Sequence, residues 1–281
     1  LRFGFHISIS GGLKFVAERA KSLKCDCAQI FSRNPRGWGY APLKKDDVEE
    51  FKQTTKAAGL APIAIHIPYL PNLASPNNSL YRQSVDALIE ELRRAEILGL
   101  PWVVTHVGKA MGEPEKDAMK RVTDALIETL SKVPGETVIL LENTAGQGSE
   151  IGYRFEQISH IIESAAPGKR LGICLDTCHA FAAGYDLATR KGLENSLKEL
   201  DSLIGLSRLY MLHLNDSKGK LGGRLDRHWH IGEGFIGKDG FRRVINHPIL
   251  SGLPGVMETP RGEKEDKRNM RAIRALVAKK V

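Results

Sequence analysis

A chain of 281 residues, 42% hydrophobic and 26% charged, can bury one large core, and that composition excludes intrinsic disorder. No stretch approaches the ~20 apolar residues of a helical membrane span, and four cysteines without a CxxC pair read as buried reduced thiols rather than a disulfide framework or a metal site. The formal net charge of +8 favours an anionic partner such as nucleic acid, and the opening LRFGFHISIS lacks a signal-peptide plan, so the expected location is cytoplasmic.

Arg2 to Ser8 alternates as a short first strand ending near His6, and Gly11-Gly12 lead into a helical pattern through Leu23. Cys25 to Phe31 reads as a second strand, followed by the polar loop SRNPRGWGYAP and a charged helix from about Lys44 to Ala58. Pro62 to His66 is the third strand, with a proline- and asparagine-rich loop and a helix from about Ser79 to Leu98. Val103 to His106 is the fourth, and Glu113-Pro114 then opens a helix to about Lys132. Thr137 to Glu142 is the fifth, followed by the loop ENTAGQGSEIG and a helix from about Phe155 to Ser164. Leu171 to Asp176 is the sixth, with DTCHAFAAGYD as a partly helical loop. Leu209 to Leu214 is the seventh strand and Gly255 to Glu258 the eighth, before a basic terminal helix from about Glu263 to Ala278.

Strands alternating with helices, without a linker or composition break, predict one closed (β/α)8 barrel, a TIM barrel, over residues 1–281. The strand ends His6, Phe31, His66, His106, Glu142, Asp176, His213 and Glu258 lie 25 to 45 positions apart, which leaves room for a helical crossover each time. An open doubly wound sheet would want a glycine-rich phosphate turn after the first strand, and SISGG matches that poorly.

In a parallel barrel every strand C-terminus converges on one rim, where barrel active sites lie. Six of the eight ends there belong to a proposed cluster of metal ligands, His66, His106, Glu142, Asp176, His213 and Glu258, joined by His179, Asp226 and His228 from loops. Asp226 and His228 stand at i and i+2, where an extended backbone puts both side chains on one side. Each alone could be an ordinary polar residue. Together they concentrate acidic groups that need cations for neutralisation, and nine ligands exceed what one ion takes. Mixed imidazole and carboxylate donors suit zinc, with manganese or iron as alternatives. Clustered divalent ions and a basic chain point to a metal-dependent phosphodiesterase acting on nucleic acid.

The segments LLENTAGQGSEIG, GICLDTCHAFAAGYD and HLNDSKGKLGGRLDRHWHIGEGFIG go further, because over essentially its whole length the chain resembles the endonuclease IV family of abasic-site DNA repair enzymes. The resemblance implies the same barrel and three metals per chain, usually zinc. His66 and His106 would hold the first, Glu142 would bridge it to a second completed by Asp176, His213 and Glu258, and His179, Asp226 and His228 would hold the third. Glu142 and Glu258 are thereby expected in catalysis, in which a hydroxide between the first two metals attacks the phosphate 5′ to the abasic sugar, leaving a 3′-OH and a 5′-deoxyribose phosphate. Trimming of blocked 3′ ends and a monomeric state are further implications.

Arg36, after the second strand, and Tyr69-Leu70, after the third, sit in loops that resemble the family's DNA-penetrating loops, and they suit wedging into duplex DNA at a missing base. His6, Asn143 and Asn215 are expected to hydrogen-bond the ligands rather than bind metal. His230 is expected to support a ligand or face solvent, and the basic terminal helix reads as a solvated face. Two rivals stand beside this reading: a metal-dependent sugar isomerase or epimerase on a related barrel, and a nucleic-acid-binding protein with structural metals.

Overall fold

In a computed structural model, which describes residues 1–165 and 170–278, eight parallel strands close into a barrel. They are β1 (Arg2–Ile7), β2 (Cys27–Ile30), β3 (Ile63–His66), β4 (Trp102–His106), β5 (Val138–Glu142), β6 (Leu171–Asp176), β7 (Leu209–His213) and β8 (Pro254–Met257). Each pairs with the next in sequence, and β8 returns to β1 with Gly4 opposite Val256. The helices are α1 (Val16–Ser22), α2 (Lys45–Ala57), α3 (Asn78–Leu98), α4 (Glu115–Lys132), α5 (Phe155–Ser164), α6 (Thr177–Ala183), α7 (Arg190–Leu203), α8 (Gly237–Asn246) and α9 (Glu263–Ala275). Among the described residues no helix is long and apolar enough to cross a membrane.

The alternation of strand side chains divides the core in two. Phe3, Phe5, Ala28, Ile30, Ile63, Ile65, Ile139 and Leu141 point outward, into the main core beneath the helices. The inward partners Cys27, Ala64, Val104, Leu140, Cys174, Met211 and Val256 form a separate apolar plug inside the barrel. Gly4 completes that layer with no side chain, since a Cβ there would stand 1.9 Å from the Cys27 carbonyl oxygen. Two residues further along each strand comes the next inward layer: His6, Gln29, His66, His106, Glu142, Asp176, His213 and Glu258. Here the structure corrects the expected second strand. It ends at Ile30, so its inward rim residue is Gln29, while Phe31 lies past the strand with its ring 4.1 Å from that of His6.

Helix ends follow from local chemistry. The Asn77 side chain accepts the Leu80 N–H at 2.9 Å to start α3, and Gly99, at φ 68°, ends it in the left-handed region that glycine enters without strain. Along α3, Val85, Leu88, Leu92 and Ala95 repeat at helical spacing and are fully buried. Helices α7 and α8 are absent from the sequence reading. GKDGFRRVIN carries two glycines, which oppose helix by about 1 kcal/mol each, yet burial of Phe241, Val244 and Ile245 decides for a helix.

The loop after β2 is anchored from α3. Arg33 donates through Nε to Glu91 Oε1 at 2.6 Å and through Nη1 to the carbonyls of Gly37 and Trp38, both at 2.9 Å. Arg94 donates to the Ser32 hydroxyl at 2.7 Å and to the Ala41 carbonyl at 2.9 Å. Burial pushes the Glu91 carboxyl up, and its hydrogen bonds from Ser32 and Arg33 oppose that shift. Removing one partner strands a buried charge, so Arg33→Ala should cost about 3–5 kcal/mol of stability in denaturant unfolding. A loss below about 1 kcal/mol, the range of an exposed pair, would show that the network contributes little.

Candidate metal centre

The inward rim layer brings acceptors face to face. His66 Nε2 and His106 Nε2 approach one oxygen of Glu142, Oε2, at 3.2 and 3.3 Å. The other oxygen, Oε1, faces His213 Nδ1 at 2.9 Å and His179 Nδ1 at 3.3 Å. His213 Nδ1 also lies 3.4 Å from Glu258 Oε2 and 3.9 Å from Asp176 Oδ2. His179, expected on a loop, lies instead in the first turn of α6, where its Nε2 stands 3.3 Å from Asp226 Oδ1 and 3.1 Å from His228 Nε2 of the long loop after β7.

The second ring nitrogens explain why this arrangement suits cations. The Nδ1 atoms of His66, His179 and His228 lie 2.6, 2.9 and 3.2 Å from the carbonyl oxygens of Ile67, Asn143 and Glu258. A carbonyl only accepts, so each Nδ1 carries the proton and each Nε2 turns a lone pair toward the cluster. His179 and His228 then present two lone pairs to each other beside Asp226, a contact that repels unless a positive charge sits among them. Three groupings have donor atoms all within 4.8 Å of one another: His66, His106 and Glu142; Glu142, Asp176, His213 and Glu258; and His179, Asp226 and His228. A fourth puts Cys178 with Asp176 and His228, but burial pushes that thiol up to about 12, so it stays protonated and is a poor donor.

The electrostatics carry the same mark. Burial opposes the charged form of His179, yet Asp176, Asp226 and Glu142 outweigh it and hold the imidazole well above its ordinary value. Burial likewise opposes ionised Glu142, and His213, His106 and His179 overcome it, so the carboxyl is held well below its ordinary value. The surrounding carboxylates thus favour positive charge within the cluster. The donor set fits divalent ions: imidazole and carboxylate without thiolate, hydrogen-bonded from behind.

Those supporting bonds run through the asparagines singled out from the sequence. Asn143 accepts the Asp176 N–H at 2.7 Å and donates to the Asp176 carbonyl at 3.2 Å. Asn215 donates to Asp176 Oδ2 at 2.6 Å and accepts the Glu258 N–H at 2.7 Å. His6 is buried with Nδ1 3.5 Å from Glu258 Oε1, and burial lowers its pKa to about 4, which keeps it neutral. His230 is buried against Asn269 of α9, 3.1 Å from its amide nitrogen, and has no place in any of the ligand groupings.

Two organising residues escape sequence reading. Asp216 accepts N–H bonds from Ser217, Gly234 and Ile236 at 2.8, 2.9 and 3.0 Å, so one carboxylate gathers both ends of the loop carrying Asp226 and His228. The pairing of Asp216-Ser217 with His228-Trp229 folds that loop back on itself. Gln29, buried within the rim layer, is the other. An Asp after a strand and a Gln inside one are common enough that neither gives a local signal.

Around the centre the rim is basic and partly apolar. Tyr69 is 76% exposed, its ring T-shaped against that of Phe31 with the centroids 5.2 Å apart, and Leu70 and Arg36 are exposed as well. A cavity of about 420 Å³ opens between Tyr69, Leu70, Lys109 and Met111, with His66, His106 and Asp226 on its wall.

A family model described as a xylose isomerase-like TIM barrel matches residues 17–277. The chain is 45% identical over 280 residues to the "probable endonuclease 4" of Methanosphaerula palustris, covering 98% of each. The chain belongs to the endonuclease IV family. A family member from Chloroflexus aurantiacus, also "probable endonuclease 4", is 44% identical over 279 residues, again covering 98% of each. The crystal structure of endonuclease IV from Thermus thermophilus superposes with a TM-score of 0.88 at 38% identity, over 98% of both chains. A D-tagatose 3-epimerase-like protein has a TM-score of 0.71 at 20% identity, over 99% of this chain and 98% of its own, a likeness of fold alone.

Proposed function

We propose that this chain is a DNA repair endonuclease that hydrolyses the phosphodiester 5′ to an abasic site in double-stranded DNA, and that it also trims blocked 3′ ends. The observation that carries the reading is the sharing of Glu142 between two ligand groupings, with a third beside it, on the rim of an endonuclease IV family barrel. Zinc is the ion that this donor set suits first, three per chain in this reading, with manganese or iron as alternatives. Such ions would supply Lewis acidity, lowering the cost of deprotonating a water nucleophile and of charge on the departing 3′ oxygen.

The chain's own residues do the holding and aligning. Glu142, with one oxygen in each of two groupings, would fix their spacing, and Glu258 and Asp176 would complete the second. Asp226 and His228, on a loop, would close the third over the entering phosphate. A sugar isomerase would use the grouping of Glu142, Asp176, His213 and Glu258 and leave His66, His106, Asp226 and His228 without a role. Incision of a duplex with one abasic site, with and without chelator, tests the proposal. Absence of incision by metal-loaded protein at neutral pH would overturn it. The enzyme is taken to act as a monomer in the cytoplasm.

A stiff duplex cannot reach a recessed cluster unless it kinks and the abasic sugar rotates outward, which leaves a gap in the stack. Tyr69, Leu70 and Arg36 would fill it, a reading supported by their exposure. Tyr69→Ala and Arg36→Ala should each weaken binding of an abasic duplex about 10-fold, as expected for loss of roughly 1–3 kcal/mol of stacking, with metal content unchanged. A flexible substrate whose abasic site is already unstacked should bind nearly as before. Equal losses on both substrates would count against wedging.

A further inference from the structure

We propose that Gln29 is the positioning residue of the second cation grouping, the side chain that selects which nitrogen of His213 and which oxygen of Glu258 face the ion. The inference rests on reading the rim as a metal centre. Gln29 is fully buried in the inward layer, so it cannot touch substrate. Its amide nitrogen lies 2.7 Å from Glu258 Oε1 and 3.0 Å from His6 Nδ1, and its amide oxygen lies 2.8 Å from His213 Nε2.

The orientation of this amide follows from its neighbours. An ionised Glu258 has only acceptors, so the NH2 group must turn toward it, and the second N–H then reaches His6 Nδ1. The carbonyl end is left for His213 and requires a proton on Nε2. With that proton placed, His213 Nδ1 carries the lone pair that points between Glu142 Oε1, at 2.9 Å, and Glu258 Oε2, at 3.4 Å. Glu258 in turn has Oε1 engaged and Oε2 free. One neutral side chain therefore sets two ligands at once, using both of its N–H groups and its oxygen. In the rim layer of His6, Gln29, His66, His106, Glu142, Asp176, His213 and Glu258, it is the member that does not titrate.

Loss of such an outer partner costs about 10–100-fold in metal affinity at a site. Gln29→Met keeps the volume and removes all three bonds. Gln29→Glu keeps the volume and the acceptor for His213 but sets a carboxylate against Glu258. Chelator competition should show one ion released about 10–100-fold more readily in both variants, with the others held as in the wild type. In cadmium-loaded protein, the cadmium NMR resonance of that one site should shift or broaden. Wild-type affinity for every ion in either folded variant overturns the proposal, and so does equal weakening of all sites, which marks general loosening of the barrel. If Gln29→Met fails to fold, Gln29→Glu decides. Wild-type protein that binds ions but leaves an abasic duplex intact would remove the proposed function while leaving the Gln29 comparison readable. Wild-type protein that incises, beside variants with unchanged ion affinity, would remove the Gln29 role alone. A wild type that binds no divalent ion overturns both.

Discussion

Glu142→Ala should lower incision of an abasic duplex by at least about 10³-fold, the loss of several kcal/mol of charge stabilisation at about 1.4 kcal/mol per factor of ten. Glu142 is fully buried and meets imidazoles with both oxygens: His66 and His106 on one side, His213 and His179 on the other. A side chain shared in this way belongs to two ligand groupings, so its removal should deplete two ions where loss of an ordinary ligand depletes one. Single-turnover incision and elemental analysis of the same preparation check both halves. Asn143→Ala is the contrast, because it touches Asp176 only through backbone groups, and about 10–100-fold is expected there. Near-normal incision by Glu142→Ala with full metal content would remove the bridging role.

The double replacement Asp226→Ala, His228→Ala should remove one ion and leave the others in place, with incision reduced about 10²-fold or more because one charge-neutralising centre is lost. The reason is position. Asp226 and His228 come from the loop between β7 and α8, whereas the other two groupings are built from residues at barrel strand ends. The Asp226 backbone is held separately, its N–H donating to the Gln147 side chain at 2.9 Å, so the loop keeps an anchor when the carboxylate is gone. Elemental analysis and the thermal midpoint of the metal-free protein check the result. Loss of no ion would end the assignment of a third site, and loss of all would show that the loop supports the whole rim.

The barrel was legible because each strand carried its own signal. PIAIH and TVILLE end in a ligand-type residue at the position where alternation turns the side chain inward, and the helices between them keep an apolar stripe. The second strand shows the limit. CDCAQIF reads as apolar to its end, so Phe31 looked like the rim residue, but the strand stops one residue earlier and Gln29 takes the inward place opposite His6. Gln29 and Phe31 are two positions apart and share a face, so alternation alone leaves open which of them stands level with His6. Helices α7 and α8 carry little local signal for a different reason: glycine at 192, 237 and 240 lowers local helix propensity, and burial that the sequence does not display overrides it.

The sequence by itself determined the alternating elements, the closed parallel barrel that they imply, and the ring of His, Asp and Glu at the strand ends. Those follow from backbone periodicity, which is local. Tertiary structure alone decided how the groups meet. His66 and Glu142 are 76 positions apart and 3.2 Å in contact, His213 and Gln29 are 184 apart and 2.8 Å in contact, and no local pattern encodes either distance. Closure of the barrel sets them, because it fixes strand stagger all the way round. The division of the Glu142 oxygens between two groupings, the gathering of a long loop by Asp216, and the orientation of the Gln29 amide all depend on that stagger. A hydrogen bond or a ligand bond tolerates only a few tenths of an ångström, a tolerance that spacing along the chain cannot specify.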